Sequence, residues 1–320
     1  MANSPLPYWQ IPLFCAVTDD SADQVALLLG DGADPNLCDD QGYTPLMKVR
    51  STAVASLLLK AGAQVHLCND INRDAFECIL CGEVGFDFPT EAALLEVLHL
   101  LAAHGADPNS AQCWDNRTRL YTAAAHAVGD YTTAIIQRLL HLGANPHLGL
   151  SPLHGLCSRW NGEFDEDIVG SFNLLVEAGC DLNLRAEDDI SLLHLAAAED
   201  WSWGSLGPNY TAVRCLLSHG ADPNAVDAQG WTPLMMAVRS YIHQTVTVAL
   251  VQDLLEAGTD LTIMNAEGDT VFDIAQASLD ICRRLYLKKS NPPDLREWER
   301  AKVQKAVECI ELLHTFNTSH

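Results

Sequence analysis

Twelve histidines and eleven cysteines are spread over 320 residues, raw material for a metal centre, a nucleophile or an acid–base pair. Cys78-Ile-Leu-Cys81, with His66 and Cys68 upstream, has the ligand types of zinc. A structural zinc site needs four ligands converging on a tetrahedron. This Cys-x-x-Cys stands alone, and it falls inside an apolar stretch that reads as helix rather than as a knuckle turn. The acid run Glu163, Asp165, Glu166, Asp167 suggests calcium, but it lacks the alternating ligand spacing and central glycine of an EF-hand loop. It reads as a solvated loop. The sequence contains no GxGxxG, P-loop, GxSxG or HExxH pattern. His104, His141 and His219 stand near helix ends, where an imidazole suits the helix dipole. No catalytic residue, cofactor or metal is expected. An enzyme site in the insertions, built on Asp165 or His243, is the competing reading.

The elements that must hold these residues repeat. GADPN occurs at 32–36, 105–109 and 220–224, and related strings start at Gly62, Gly143, Gly179 and Gly258. Each follows a Leu-rich run, such as VALLLGD or RCLLSH, which reads as a helix ending at a glycine able to take the left-handed cap conformation. Downstream stands a helix start: YTPL (43–46), RDAF (73–76), RTRL (117–120), LSPLH (150–154), ISLLH (190–194), WTPL (231–234) and DTVF (269–272). A hydroxyl before Pro-Leu caps the helix and places proline in its first turn. The glycine-to-cap distance is 12 residues in five linkers, 13 after Gly105 and 8 after Gly143. A constant spacing means a fixed element lies between.

Two markers recurring in phase, TPLH-x-A-A with LLxxGA, and D-x-N with D-x-x-G-x-TPL, resemble the ankyrin repeat. The resemblance covers about residues 11–316. It implies an all-α repeat solenoid of β-turn fingers and antiparallel helix pairs, about eight pairs here. Residues 1–10 read as a lead-in, 11–282 as the array, and 283–320 as a basic capping helix that completes the last repeat. That helix shows an apolar stripe at Leu295, Trp298, Ala306, Ile310 and Leu313. Its charged face reads either as a solvated face or as a basic arm. The linker after Gly143 predicts a truncated finger. The short second repeat, 18 residues from Thr44 to Gly62, predicts trimmed helices.

Composition narrows function. The net charge is −23, with +3 on residues 283–320 and −26 on the first 282. Nucleic-acid binding needs clustered cations and is not expected. No apolar run approaches the ~18 residues of a membrane span. An odd number of cysteines without framework spacing reads as reduced thiols in a cytoplasmic protein. The resemblance implies a non-enzymatic protein-binding module, and the acidity implies a partner with a basic surface. No small-molecule substrate is evident. An immunity- or antitoxin-like inhibitor, and an effector or adaptor acting on a host protein, are the alternatives.

The family's contact positions, carried over by motif, are Tyr43, Arg73, Arg117, Ile190 and Trp231 before each cap, with Trp114 in one of these turns. On the inner helices they are Lys48, Cys78, Thr122, Gly155, Leu195 and Met236. Tyr43, Ile190 and Trp231 are read as exposed anchors. Fingertip acids, Asp39, Asp40, Asp70, Asp115, Glu187, Asp188, Asp189, Asp227 and Glu267, are read as a steering edge. The insertions form a second candidate surface: Trp160, Phe164, Asp165, Glu166 and Asp167 in one, and Trp201, Trp203 and Tyr210 in the next.

Overall fold

Each apolar run written before a glycine folds as a helix that the glycine ends. In the computed structural model, which describes residues 11–82, 88–110, 116–126, 131–158, 166–198, 209–239, 248–287 and 297–319, these are the outer helices. They are α2 (Ala22–Gly30), α3 (Thr52–Lys60), α5 (Glu91–Ala103), α7 (Thr132–His141), α9 (Glu166–Glu177), α11 (Tyr210–Ser218) and α13 (Val248–Glu256). Gly220 shows the ending: at φ +84° its N–H reaches Leu217 O while Ala221 N reaches Leu216 O. The inner elements start at the predicted caps: α1 (Pro12–Thr18), a 3-10 turn (Pro45–Lys48), α4 (Ala75–Cys81), α6 (Arg119–His126), α8 (Pro152–Ser158), α10 (Leu192–Ala197), α12 (Pro233–Arg239) and α14 (Val271–Leu287). A final helix, α15 (Glu297–Ser319), packs on α14. Eight inner–outer pairs result among the described residues, and no strand longer than the single bridge Arg185–Ser191.

The described residues divide into two compact units. One runs to Gly155 and includes Asn173–Cys180. The other holds Leu156–Phe172 and the chain from Asp181 onward. In the first, Phe14, Leu46, Met47, Phe76 and Leu120 of the inner elements are buried with Val25, Leu58, Leu98 and Leu139 of the outer ones. In the second, Leu193, Leu234 and Ala275 are buried with Leu216, Val251 and Leu254. Apart from Ala275, each such side chain stabilises by roughly 1.5–3 kcal/mol.

The second repeat is trimmed in its inner element alone, since the outer helix α3 keeps nine residues, as many as α2 and α11. Its inner element is one 3-10 turn, and Val49 is already extended at ψ 148°. The finger after Gly143 is also truncated. It has no hairpin of its own; Leu150 N instead bonds Asn116 O. Gly149, at φ +61°, is required there, because a Cβ would sit 2.3 Å from Asn116 O. The boundary drawn at 283 falls inside α14, which continues to Leu287. On α15 the buried stripe is Ala306, Cys309 and Leu313, with Ile310 half-buried; the side chains of Leu295 and Trp298 lie outside the described residues.

Asp-Pro-Asn does more than turn the chain. In each copy the aspartate accepts the asparagine N–H, for example Asn224 N to Asp222 Oδ1 at 2.9 Å. The asparagine side chain then clamps the next repeat. Asn36 bonds Gly62 O and Gln64 N at 3.1 and 2.8 Å. Asn109 bonds Gly143 O and Asn145 N at 3.0 and 2.7 Å. Asn224 bonds Gly258 O and Asp260 N at 3.2 and 2.7 Å. His66 and His147 take the same place against Gly105 and Gly179. Asn183 stands in this place too, but its side chain is exposed and makes no hydrogen bond among the described residues. A cavity of about 100 Å³, lined in part by Asn183, Arg185, Asp222 and Ala225, lies at that seam.

Candidate functional site

The fingers are rigid because their first residue is an acceptor. Asp39 Oδ1 takes the N–H groups of Gln41 and Tyr43, both at 2.9 Å. Asn69 does the same for Ile71 and Arg73, Asp227 for Gln229 and Trp231, and Asn265 for Glu267 and Asp269. Adjacent fingers are then tied backbone to backbone, Asp70 N to Gln41 O in the first unit and Ala228 N to Asp188 O and Ala266 N to Gln229 O in the second. This corrects the steering edge. Asp39 and Asp227 are 3% and 7% exposed, and their carboxylates are turned into the turns. Asp40, Asp70, Asp188, Asp189 and Glu267 remain exposed, while Asp115 and the side chain of Glu187 lie outside the described residues.

Four of the sequence-predicted contact residues, Ile190, Leu195, Trp231 and Met236, lie in the second unit. Trp231 is half-buried, with the Arg239 guanidinium 4.9 Å from its ring centre. Its backbone is held three times: its N–H by Asp227, and its carbonyl by Asp227 N at 3.0 Å and by His194 Nε2 at 2.9 Å. His194 Nδ1 accepts from Ser191, which fixes Nε2 as the donor to Trp231 O. Burial pushes the His194 pKa down, so the ring is held neutral. Leu195 and Met236 are half-buried on α10 and α12, and Ile190 is half-buried before the α10 cap. Ile190 and Trp231 are therefore partly covered rather than freely exposed.

In the first unit, Tyr43 is likewise half-buried, beneath the Lys48 ammonium at 3.6 Å from the ring centre. Arg117 lies over Tyr121 at 5.3 Å. Cys78, Thr122 and Gly155, at the inner-helix contact positions, are buried and present no surface. Burial pushes the Cys78 thiol up to about 12. A buried ionic cluster that sequence reasoning missed lies behind them. Asp74 caps α4 through Glu77 N at 2.9 Å and pairs with Arg119, whose guanidinium covers Phe76 at 4.2 Å. Glu77 accepts from Thr122 Oγ1 at 2.7 Å. Burial raises the Glu77 pKa against the lowering pull of Thr122 and Arg119. The signal was present: arginine stands in RTRL where TPL writes proline, and aspartate stands at the preceding cap.

The insertion surface is mostly beyond description. Trp114, Trp160, Phe164, Asp165, Trp201 and Trp203 lie outside the described residues. Glu166 and Asp167 belong to the first turn of α9, where acids suit the helix N-terminus. Tyr210 opens α11 rather than closing an insertion. It sits under Arg214, 4.7 Å from its ring centre, and Arg214 is itself held by both carboxylate oxygens of Asp253. The adjacent Asn209 caps α11 and donates to Leu156 O at 2.7 Å.

A model of the family described as "Ankyrin repeats (3 copies)" matches residues 166–265 and 204–294, and one described as "Ankyrin repeat" matches 9–40. The chain belongs to the ankyrin repeat family. Ankyrin repeats are protein–protein interaction modules in general, and an array of this kind is an interaction scaffold rather than a typical enzyme fold. The chain is 38% identical to human "Ankyrin repeat and SOCS box protein 6" over 104 residues, 31% of this chain and 22% of that protein. It is 31% identical to mouse "Rabankyrin-5" over 123 residues, 35% of this chain and 10% of that protein. It is 24% identical to Arabidopsis thaliana "E3 ubiquitin-protein ligase KEG" over 310 residues, 86% of this chain and 18% of that protein. The ankyrin array thus spans less than a quarter of each of these relatives. The human ASB11 ankyrin repeat domain superposes with a TM-score of 0.49 at 16% identity, covering 92% of this chain and 97% of that one.

Proposed function

We propose that this chain is a non-enzymatic binding module that captures a partner protein with a basic surface at the fingers of its second unit. The observation that carries this reading is Trp231. A half-buried indole on a backbone held by Asp227 and His194 is a pre-ordered anchor, and little entropy is lost when it is covered. The exposed carboxylates Asp188, Asp189 and Glu267 lie in the neighbouring fingers, which supports attraction of a cationic partner. Capture serves either to inhibit or to recruit. One relative is named for ankyrin repeats joined to a SOCS box and another as a ubiquitin ligase, which favours recruitment. Among the described residues no helix is long and apolar enough to cross a membrane. All ten described cysteines are free thiols, which supports a reducing compartment such as the cytoplasm.

The test is affinity capture from native lysate, read by mass spectrometry, with the wild-type chain and Trp231→Ala. The expected result is one dominant partner whose recovery falls at least about tenfold with Trp231→Ala and falls with added salt. Full retention by Trp231→Ala, with loss in the joint Trp201→Ala and Trp203→Ala variant, would move the site to the insertions. Retention by both variants would remove both surfaces.

A further inference from the structure

Three seams of the array close in one way. An asparagine amide donates to the carbonyl of the helix-ending glycine in the next repeat, at 3.0–3.2 Å. Its oxygen accepts the N–H two residues further on, at 2.7–2.8 Å. At the seam of Asn183 the corresponding receivers are Gly220 O and Asp222 N. Among the described residues neither takes part in a hydrogen bond, and the Asn183 side chain makes none.

A small residue accompanies the opening. In the receiving repeat, the residue after the clamp position is Leu67, Leu148 and Ile263 at the three closed seams, and Ala225 at the open one. Ala225 is buried and lines the cavity of about 100 Å³. Leu182, Leu193 and Ala221 add apolar wall, while Arg185 and Asp222 add one charge of each sign. Both charges are engaged by their own chain. Arg185 Nη1 donates to Asp189 O and Val226 O, each at 2.9 Å, and Asp222 Oδ1 accepts Asn224 N. A cationic guest is opposed by Arg185 and an anionic one by Asp222. A neutral group that both donates and accepts is opposed by neither, and a primary amide is such a group.

We infer that this seam of the second unit is a pocket for a primary-amide side chain, glutamine or asparagine, of a partner protein. The guest accepts from Asp222 N and donates to Gly220 O, as the chain's own asparagines do at the closed seams, and its stem lies against the apolar wall. It makes two hydrogen bonds that the chain leaves unmade. The pocket stands where an outer helix ends and a finger begins, so it is neither a fingertip nor an inner-helix position. It does not rest on the Trp231 reading, and the two stand or fall separately.

The experiment is a titration of the isotopically labelled full-length chain, followed by backbone amide NMR. The main probe is N-acetyl-glutamine methylamide. The matching glutamate, lysine and leucine compounds and free glutamine are run beside it. The glutamine compound should shift the amides of residues 182–185 and of Gly220, Asp222 and Asn224 at roughly 10 mM. It should leave Gly62 and Gln64, Gly143 and Asn145, and Gly258 and Asp260 in place, because those receivers are already occupied. Ala225→Leu gives this seam a residue of its neighbours' size and should weaken the response at least about fivefold. The comparison of probes on the unaltered chain decides the matter whether or not that variant folds. The inference is overturned if Asp222 N does not respond, or if the glutamate, lysine or leucine compound moves it as far. An equal response at the closed seams, or undiminished binding by a folded Ala225→Leu chain, overturns it too. Tighter binding of free glutamine than of the capped compound would assign the pocket to a small zwitterion and overturn the partner reading.

Discussion

The three asparagine clamps and the idle fourth position make a controlled experiment within one chain. Asn224→Ala deletes two hydrogen bonds, of 3.2 and 2.7 Å, to Gly258 O and Asp260 N. Asn109→Ala deletes the matching pair at 3.0 and 2.7 Å. A net hydrogen bond is worth about 0.5–1.5 kcal/mol, and these groups can be rehydrated once uncovered. The expected cost is therefore about 1–2 kcal/mol for each variant, in the second and first unit respectively. Asn183→Ala removes the same residue type from the same motif position but no hydrogen bond, and should cost under about 0.5 kcal/mol. Urea unfolding followed by circular dichroism reads this as a lower midpoint at unchanged m, with separate transitions fitted separately. Thermal midpoints should fall by about 2–4 °C per kcal/mol. If Asn183→Ala destabilises as much as Asn224→Ala, the asparagine acts within its own turn or in the unfolded chain, and the clamp argument is refuted.

Asp74→Asn keeps the α4 cap but leaves Arg119 buried without its counter-charge, and should cost about 3 kcal/mol in denaturant unfolding. Asp74→Ser combined with Arg119→Pro, the residues that Ser191 and Pro233 place at these two positions of successive repeats, should recover most of that loss; no recovery would argue against a paired replacement. Glu77 has a raised pKa in the fold, so stability falls as pH rises from the ordinary carboxylate pKa toward the raised one, and Glu77→Gln should flatten that fall. An unchanged slope would contradict the burial argument. His194 has a depressed pKa, so the stability it supports is present above its ordinary value of 6.5 and is lost as pH falls through it. Its ring resonances should titrate below that value in an NMR pH series. Gly149→Ala forces a Cβ to within 2.3 Å of Asn116 O at positive φ and should cost at least about 2 kcal/mol, seen as a lower thermal midpoint.

Much of the scaffold was legible because its punctuation uses residues with few substitutes. A glycine such as Gly220 that ends a helix at positive φ, and a hydroxyl before Pro-Leu, leave a spacing of 12 that survives variation elsewhere. The trimmed second repeat and the missing finger after Gly143 followed from counting residues. What was not legible was the direction of side chains. The first finger position is Asp39, Asn69, Asp227 and Asn265 in turn. Asp and Asn alternating at one position mark a need for an oxygen acceptor, not for charge, so two acids assigned to a steering edge were buried instead. The DPN asparagine had the same ambiguity. A turn residue and an inter-repeat clamp are one letter, and only the neighbouring backbone tells Asn224 from Asn183. Tyr210 was misread because an insertion ends where a cap begins, and Asn209 is that cap.

The Asp74–Arg119 pair also constrains the route by which the first unit came to its present sequence. Aspartate at a helix cap is acceptable alone, since it receives Glu77 N whether or not a cation is near. Arginine at 2% exposure is not acceptable alone. A lineage that changed position 119 first would have passed through an unstable intermediate, whereas one that changed position 74 first would not. The order aspartate before arginine is therefore the one that avoids a buried unpaired charge. With the arginine in place the aspartate cannot be replaced singly, so this repeat is no longer interchangeable with its neighbours.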